Sequence, residues 1–368
     1  MPELQNKAYK FRLYPTSEQH TILAKTFGGV RFSYNRMLAD KKSHYEETGK
    51  MLQTTPAAYK KEFPWLKEVD SLALANAQLR LQATYKNFFR APKIGFPKFR
   101  SRKTGYLSYM TNNQKGTVRI EGNRIRFPKV GMVKVALYRQ IPDEQVIKSV
   151  TVSQEPFGKY YVSILMECAT EISDVSLDVR KAVGLDDSSP RFYVSSDGYI
   201  ADMPHFYRDA EKRLAKEQRK LSKMVKGSNH YRKQQIRVAK AHEYVRNCRR
   251  DYHHKESRRL VETYDYICLE DINFQDMSHS SHLAKATHDN GFGAFHAMLA
   301  YKMQEQGKKV ITIDKWFPSS KTCHHCGSIH HGLMLSDRIW FCPQCGKRLN
   351  RDQNAAINIC NAGVSQIT

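Results

Sequence analysis

Hydrophobic and polar positions change their period along the chain. In "KAYKFRLYPTSEQ", Lys7 to Leu13 alternate as in a strand, Pro15 ends the run, and Thr16 or Ser17 stands where a helix N-cap belongs. Further helical stretches run to about residue 90. In the last of them Leu74, Ala77, Leu81, Tyr85 and Phe88 recur at three- and four-residue steps behind Asp70, a candidate N-cap, so one apolar helix face is expected. From about 105 to 170 the runs shorten and alternate again, in "GTVRIEGNRIRFPKVGMVKVAL" and "IKSVTVSQEPFGKYYVSILMEC", with turns at "EGN" and "EPFG". That pattern predicts an antiparallel, barrel-like sheet closing on the N-terminal strand.

A new order begins at "KAVGLDDSSPRFYVSSDGYIADM", where a buried run ends in a carboxylate, turns, and returns as a second strand ending at Ser195 to Gly198. Residues 205 to 262 are basic and helix-patterned, broken near "KGSN" by Gly227, and read as a helical hairpin. A buried strand "YDYICLEDI", a helix in "HDNGFGAFHAMLAYKMQEQG", a strand "KKVITID", a cysteine cassette and a short helix "QNAAINIC" complete the chain. No repeat period or low-complexity tract interrupts this order.

The strand ends carry acids: Asp186 with Asp187 after "AVGL", and Glu270 with Asp271 after "YICL"; Asp352 opens the last helix. Carboxylates at neighbouring strand ends and a nearby helix start can meet at one point of an α/β sheet. Two like charges about 4 Å apart in an effective dielectric of about 20 repel by roughly 4 kcal/mol, so three ionised acids together require a cation. Oxygen donors of this kind suit Mg²⁺ or Mn²⁺. A pair of such ions roughly 3.5 to 4 Å apart supports in-line displacement at a phosphodiester, which is nuclease chemistry. The plainer reading, solvated strand-end acids and an acid favoured by a helix dipole, stays open on spacing alone.

Cys323 and Cys326 ("CHHC") and Cys342 and Cys345 ("CPQC") enclose fifteen residues, inside the window of paired CxxC zinc sites. Four thiolates close the coordination of one Zn²⁺ and leave no place for water, so this ion is structural. His324, His325, His330 and His331 are expected to be exposed or to face nucleic acid rather than to act as ligands.

Sixty Lys and Arg against 36 Asp and Glu give a formal charge of +24, a field suited to a polyanion, and nucleic acid is the expected partner. The basic helices from 205 to 262 hold few aromatics and suit phosphate contact. In "SYMTNNQ", Ser108 to Gln114, a tyrosine (Tyr109), a threonine (Thr111) and paired amides including Asn112 could read base edges. No stretch approaches the roughly 18 apolar residues of a membrane span and the N-terminus has no signal-type apolar core, so a cytoplasmic protein acting at the nucleoid, with no membrane partner, is expected.

Taken in order, "KFRLYPTSEQ", "RFSYNRML", "YKNFFR", "GFPKFRSRKTG", "YMTNNQ", "VGLD", "YICLEDIN", "WFPSSKTCHHCG", "FCPQCG" and "RDQNAAINI" resemble the TnpB family, RNA-guided endonucleases encoded by bacterial insertion sequences and related to type V CRISPR effectors. The resemblance spans nearly the whole chain. It implies an α+β multidomain protein: a wedge β-barrel (1–15 and 100–180), a helical recognition insertion (16–99), and a RuvC-like, RNase H-type α/β nuclease domain (181–317 and 347–368) carrying a four-cysteine zinc-finger insertion (318–346). By position, Asp186, Glu270 and Asp352 match the catalytic acids, which would hold two Mg²⁺, with Mn²⁺ as a substitute, beside one structural Zn²⁺. Ser71 to Asn76, with Thr111 and Asn112, match positions that face a short motif beside the target.

The implied partners are a noncoding guide RNA from the transposon end and double-stranded target DNA, on a monomer with one RNA. Two positions depart from the family pattern: Asp187 and Ser188 stand where an apolar residue and glycine are common, and Asn350 where an aspartate is frequent. Rival readings are a nuclease-inactive RNA-guided repressor, a zinc-containing DNA-binding protein without a guide, and a guide-independent nuclease or junction resolvase.

Overall fold

The computed structural model describes residues 3–101, 107–142, 145–170, 176–188, 191–202, 204–272, 290–334 and 336–367. Parts of the quoted stretches lie outside them, among them residues 102–105 of "GFPKFRSRKTG", 273 of "YICLEDIN" and 288–289 before the "NGFGAF" helix. The chain divides into two compact units, Met1–Glu171 and Ile172–Thr368.

The first unit starts with β1 (Glu3–Tyr14), longer than the alternation predicts because it pairs antiparallel with β7 (Tyr160–Thr170) along most of its length and with β5 (Gly131–Ala136) at its end. With β2 (Leu107–Asn112), β3 (Arg119–Glu121), β4 (Arg124–Phe127) and β6 (Val146–Gln154), these strands form a seven-stranded sheet in the order β2-β6-β7-β1-β5-β4-β3. Its pairings are antiparallel, and β2 and β3 are its edges among the described residues. The sheet closes on the N-terminal strand as the alternation predicts, with β1 between β7 and β5, and is a half-barrel whose edge strands β2 and β3 do not pair among the described residues.

Thr16 caps the 32-residue helix α1 (Ser17–Thr48) through a capping box with Gln19. After a short helical turn, α2 (Tyr59–Glu62), Asp70 caps α3 (Ser71–Arg90), its carboxylate accepting from Leu72 N–H at 3.0 Å. The predicted α3 face is buried at Leu74, Ala77, Leu81 and Tyr85. These side chains join those of α1 and of Tyr9, Phe11 and Leu13 in one hydrophobic core. Helices and sheet of this unit thus share one core.

The second unit is built on a five-stranded sheet in the order β10-β9-β8-β11-β12: β8 (Ala182–Asp187), β9 (Tyr193–Ser195), β10 (Ile200–Ala201), β11 (Tyr266–Glu270) and β12 (Lys309–Ile313). The first three form an antiparallel meander, while β8, β11 and β12 run parallel. The basic region is the hairpin of α4 (His205–Ser222) and α5 (Asn229–Thr263), turned through Gly227 at φ 88° and capped by Ser228. Helix α6 (Phe292–Glu305) joins α5 on one face of the sheet, where Val183, Leu185, Ile267 and Leu269 pack with Leu260, Phe295 and Leu299. Helix α7 (Arg351–Val364) covers the other face, and before it the cysteine cassette ends in the hairpin β13 (Ile339–Phe341) and β14 (Arg348–Asn350).

Candidate active site

A strand alternates its faces, so Gly184 and Asp186 look one way and Val183, Leu185 and Asp187 the other. Gly184 lies beneath α7: a Cβ there would sit 2.1 Å from the Ala356 carbonyl oxygen and 2.5 Å from Cys360 N. On β11, Cys268 and Glu270 share that face, and a Cβ on Gly363 of α7 would meet Cys268 Sγ at 2.3 Å. Two glycines thus let α7 lie directly on the strands that end in Asp186 and Glu270. Asp352, in the first turn of α7, is brought to the same side.

The charges of Glu270 and Asp352 reach Asp186. Burial, followed by the Glu270 and then the Asp352 carboxylate, holds the Asp186 carboxyl well above the usual range. Glu270 is also raised, chiefly by burial and also by Asp187, although it accepts a short hydrogen bond from the Ser319 hydroxyl. Asp352 is paired with Arg338 at 3.1 Å, its side chain 16% exposed. The oxygens are nonetheless looser than the thiols: the cysteines are the group of ligand atoms all within 4.8 Å of one another among the described residues. Carboxylates in mutual repulsion are a donor set that fits hard divalent cations.

The two departures from the family pattern acquire structural reasons. Asn350 is the N-cap of α7, its side-chain oxygen accepting from Asp352 N–H and Gln353 N–H at 3.1 Å each, a task asparagine and aspartate perform about equally well. Asp187 alternates to the face away from α7, half-buried, with its carboxylate 3.0 Å from His296 Nε2 on α6. Burial works against the charged imidazole, but the Asp187 carboxylate outweighs it and the His296 pKa is raised. The added acid thus pairs with His296, while its charge still reaches Asp186 and Glu270.

The zinc-type centre is local in origin. Cys323 N–H donates to Ser328 O and Gly327 N–H to Cys323 O; Cys342 N–H donates to Lys347 O and Gly346 N–H to Cys342 O. Gly327 and Gly346, at φ 75° and 70°, supply the left-handed residue each knuckle needs. The sulfurs converge, with Cys323–Cys345 at 3.8 Å and Cys326–Cys342 at 3.5 Å. The Ser328 hydroxyl lowers the Cys326 and Cys342 thiols, the latter to about 6. Cys345, by contrast, is raised to about 12: a hydrogen bond from the Lys347 backbone lowers it, but burial and the neighbouring thiols that crowd it outweigh that bond. Four converging thiols fit zinc, with a small core of Leu333, Trp340 and Leu349 around them.

Sequence reasoning missed the link between the two centres. Buried Asn354 and Asn358 of α7 donate from their side-chain amides to Thr322 O at 2.7 and 2.6 Å, and Asn358 also to Ser319 O at 2.8 Å. The Asn354 side-chain oxygen accepts from His324 N–H at 3.0 Å and lies 3.0 Å from His324 Nδ1. His324 is therefore part of this clamp rather than turned to solvent. The signal available was polar residues in "NAAIN" recurring four apart beside alanines that face the core.

The candidate motif-facing residues separate by face. Thr111, Tyr109 and Asn76 are 0%, 1% and 3% exposed, inside the core of the first unit, so they do not present side chains to a ligand. The period of two turns 109 and 111 of β2 inward together, and Asn76 sits on the buried face of α3, its amide donating to Leu72 O. Ser71 is exposed and Asn112 partly so.

Comparison with known proteins bears on this arrangement as a whole. A protein of Streptomyces pristinaespiralis, named as a candidate RNA-guided DNA endonuclease, is 33% identical over 99% of this chain and 91% of its own length. The chain belongs to the TnpB family. InsQ of Escherichia coli (strain K12), named in the same way, is 32% identical over 97% of this chain and 92% of its own. Family models match residues 292–359 ("Cas12f1-like, TNB domain"), 164–281 ("Probable transposase") and 1–50 ("Helix-turn-helix domain"). In the last range the structure has a strand and one continuous helix. The fold resembles the protein of a Cas12f1-sgRNA-target DNA complex, with a TM-score of 0.59 at 12% identity, covering 97% of this chain and 99% of that one. The TnpB fold thus extends over both units, and its acids and cysteines stand in the second.

Proposed function

We propose that this chain is an RNA-guided DNA endonuclease of an insertion sequence, with one nuclease centre of RuvC type in its second unit. The observation that carries the reading is that β8, β11 and α7 bring Asp186, Glu270 and Asp352 to one side of one sheet, close enough for the charges of Glu270 and Asp352 to act on Asp186. In support, the relatives are named for RNA-guided DNA cleavage, and the net charge of +24 suits nucleic-acid partners.

In this reading Asp186, Glu270 and Asp352 hold two Mg²⁺, and the four cysteines hold one structural Zn²⁺. When bound, the magnesium pair supplies an activated water and charge for the departing oxygen of the phosphodiester. The chain's own groups do the positioning. Asn350 fixes the first turn of α7, Ser319 orients Glu270 by donating to it, and Arg338 balances Asp352 until a cation or phosphate arrives. The clamp of Asn354 and Asn358 couples the zinc module to the helix that carries Asp352. Guide RNA from the transposon end supplies sequence by pairing with one strand of duplex DNA, after a short adjacent motif is read. Ser71 and Asn112, of the residues matched to motif reading, have the exposure that contact requires.

The test is cleavage of a matched duplex by the protein loaded with RNA carrying a complementary end. Cutting that needs both RNA and Mg²⁺, stops with EDTA and stops in Asp186→Ala is the expected result. Binding without cutting by the wild-type protein would leave the repressor reading, and cutting without RNA the guide-independent one.

A further inference from the structure

Within the first unit, α1, α3, the segment after α3 and the edge strand β2 enclose a cleft of about 400 Å³. Its walls carry Arg31, Arg80, Lys98 and Arg100, and no aspartate or glutamate. Elsewhere on α1, Lys25 is 2.6 Å from Glu68 and Arg36 lies 3.3 Å from Asp40 and 3.6 Å from Glu62, while buried Lys41 donates to Leu52 O. Among the described residues, Arg31, Arg80 and Lys98 have no carboxylate partner. Burial, and then the neighbouring Arg100, disfavour the charged form of Arg80. Cations gathered in a partly buried cleft without a counter-charge are an anion site, because only a ligand relieves their repulsion.

The cleft is preorganised as a receptor is. Asn35 grips the backbone of Arg100 from both sides: its amide donates to Arg100 O at 2.9 Å, and its oxygen accepts from Arg100 N–H at 2.8 Å. The Arg100 guanidinium rests 4.0 Å from the centre of the Tyr34 ring, which holds the charge in place without neutralising it. Beside these cations Phe99 is 59% exposed. An uncovered aromatic ring next to arginines is the arrangement on which an unpaired base stacks while its phosphates are held.

We infer that this cleft is a phosphodiester-binding site that seats an unpaired nucleotide of the bound nucleic acid, with Arg31, Arg80, Lys98 and Arg100 on its phosphates and Phe99 on its base. The inference rests on the reading of the protein as a nucleic-acid binder and not on the acids of the second unit. The same chemistry is offered by RNA and by single-stranded DNA, which the test separates.

The full-length protein is titrated with labelled single-stranded RNA, single-stranded DNA and duplex DNA over a range of salt. Arg31→Gln/Arg80→Gln is compared with a control of equal charge loss on the same unit, Lys25→Gln/Lys42→Gln. The double arginine variant is expected to weaken single-strand binding about tenfold relative to the control and to reduce the salt slope by about 1 per arginine. Phe99→Ala, a change at an exposed side chain that the core does not need, should weaken single strands about tenfold, spare the duplex, and be rescued by Phe99→Tyr. The strand type that loses most is the occupant. Arginine and phenylalanine variants that match the control on every arm would overturn the inference. An Asp186→Ala protein should give the same binding pattern, so failure of the endonuclease reading is distinguishable; a wild-type chain that binds none of the three would fail at the level of nucleic-acid binding itself.

Discussion

The two centres of the second unit lie on one connected framework and are built by opposite routes. Four sulfurs are drawn within 4.8 Å of one another by two local turns, each closed by its own backbone hydrogen bonds and a left-handed glycine. Three carboxylates come from two strands and a helix, and share one side of the sheet because Gly184 and Gly363 let α7 lie on β8 and β11. Their electrostatics differ in the same sense. A serine hydroxyl eases the ionisation of Cys342, whereas burial and like charge oppose that of Asp186. A centre made of local turns gathers its ligand atoms without long-range packing; acids gathered by tertiary packing carry a burial and like-charge penalty that a cation would relieve.

The sharpest break between the two is expected at the acids. Asp186→Ala or Glu270→Ala should lower guided cleavage by about 10³-fold or more, the scale of losing a group that stabilises charge at the reacting phosphate, with zinc content and RNA binding unchanged. Loss of zinc along with activity would show that the two centres are not separately built. Cys342→Ser is expected to act in the other direction: zinc falls below one per chain, the module loses its fold, and cleavage falls through the clamp although all three acids are present. Zinc analysis beside cleavage rates checks this.

Smaller effects test the joint between the centres. Asn354→Ala removes hydrogen bonds to Thr322 O and from His324 N–H, and should cost about 1–3 kcal/mol in unfolding free energy. The same variant should cleave about 10- to 100-fold more slowly, the range seen when partners of metal ligands are removed. Equal rates for variant and wild type would mean that the zinc module does not position Asp352.

The direction of pH dependence follows from the raised Asp186 and Glu270 carboxyls. Between their ordinary and raised values the folded chain binds more protons than the unfolded one, so stability without magnesium should fall as pH rises through that window. Magnesium should restore it at the upper end, and Asp186→Asn should flatten the profile. The smallest effect is predicted for Asp187→Asn: on the face away from α7, it should change the cleavage rate by less than about tenfold, the lower bound for a direct ligand partner.

The contrast also explains what the sequence made legible. The cysteine centre could be read from spacing alone because its geometry is fixed within a few residues of each thiol. The strand-end acids could be listed as candidates, but what joins them is the packing of Gly184 beneath Ala356, and spacing along the chain carries no trace of a contact between residues so far apart. Asn350 and Asp187 could not be placed without knowing which residue begins α7 and which way β8 faces. Thr111 and Tyr109 show the opposite failure: polar letters in a suggestive run read as a surface, and the two-residue period of β2 buries them. The open edge of the first sheet was equally hidden, because alternation marks strands and not whether the last finds the first.

Asp186, Glu270 and Asp352 are held to share divalent cations while the cysteines keep zinc only as structure, and manganese can report on both at once. Its binding to the zinc-loaded, RNA-bound protein is followed by electron paramagnetic resonance. Two coupled Mn²⁺ per chain are expected, displaced by Mg²⁺ and absent in Asp186→Ala, with one Zn²⁺ retained throughout. Manganese that binds equally well after all three acids are replaced, or that enters only when zinc is removed from the cysteines, would refute the shared-cation centre.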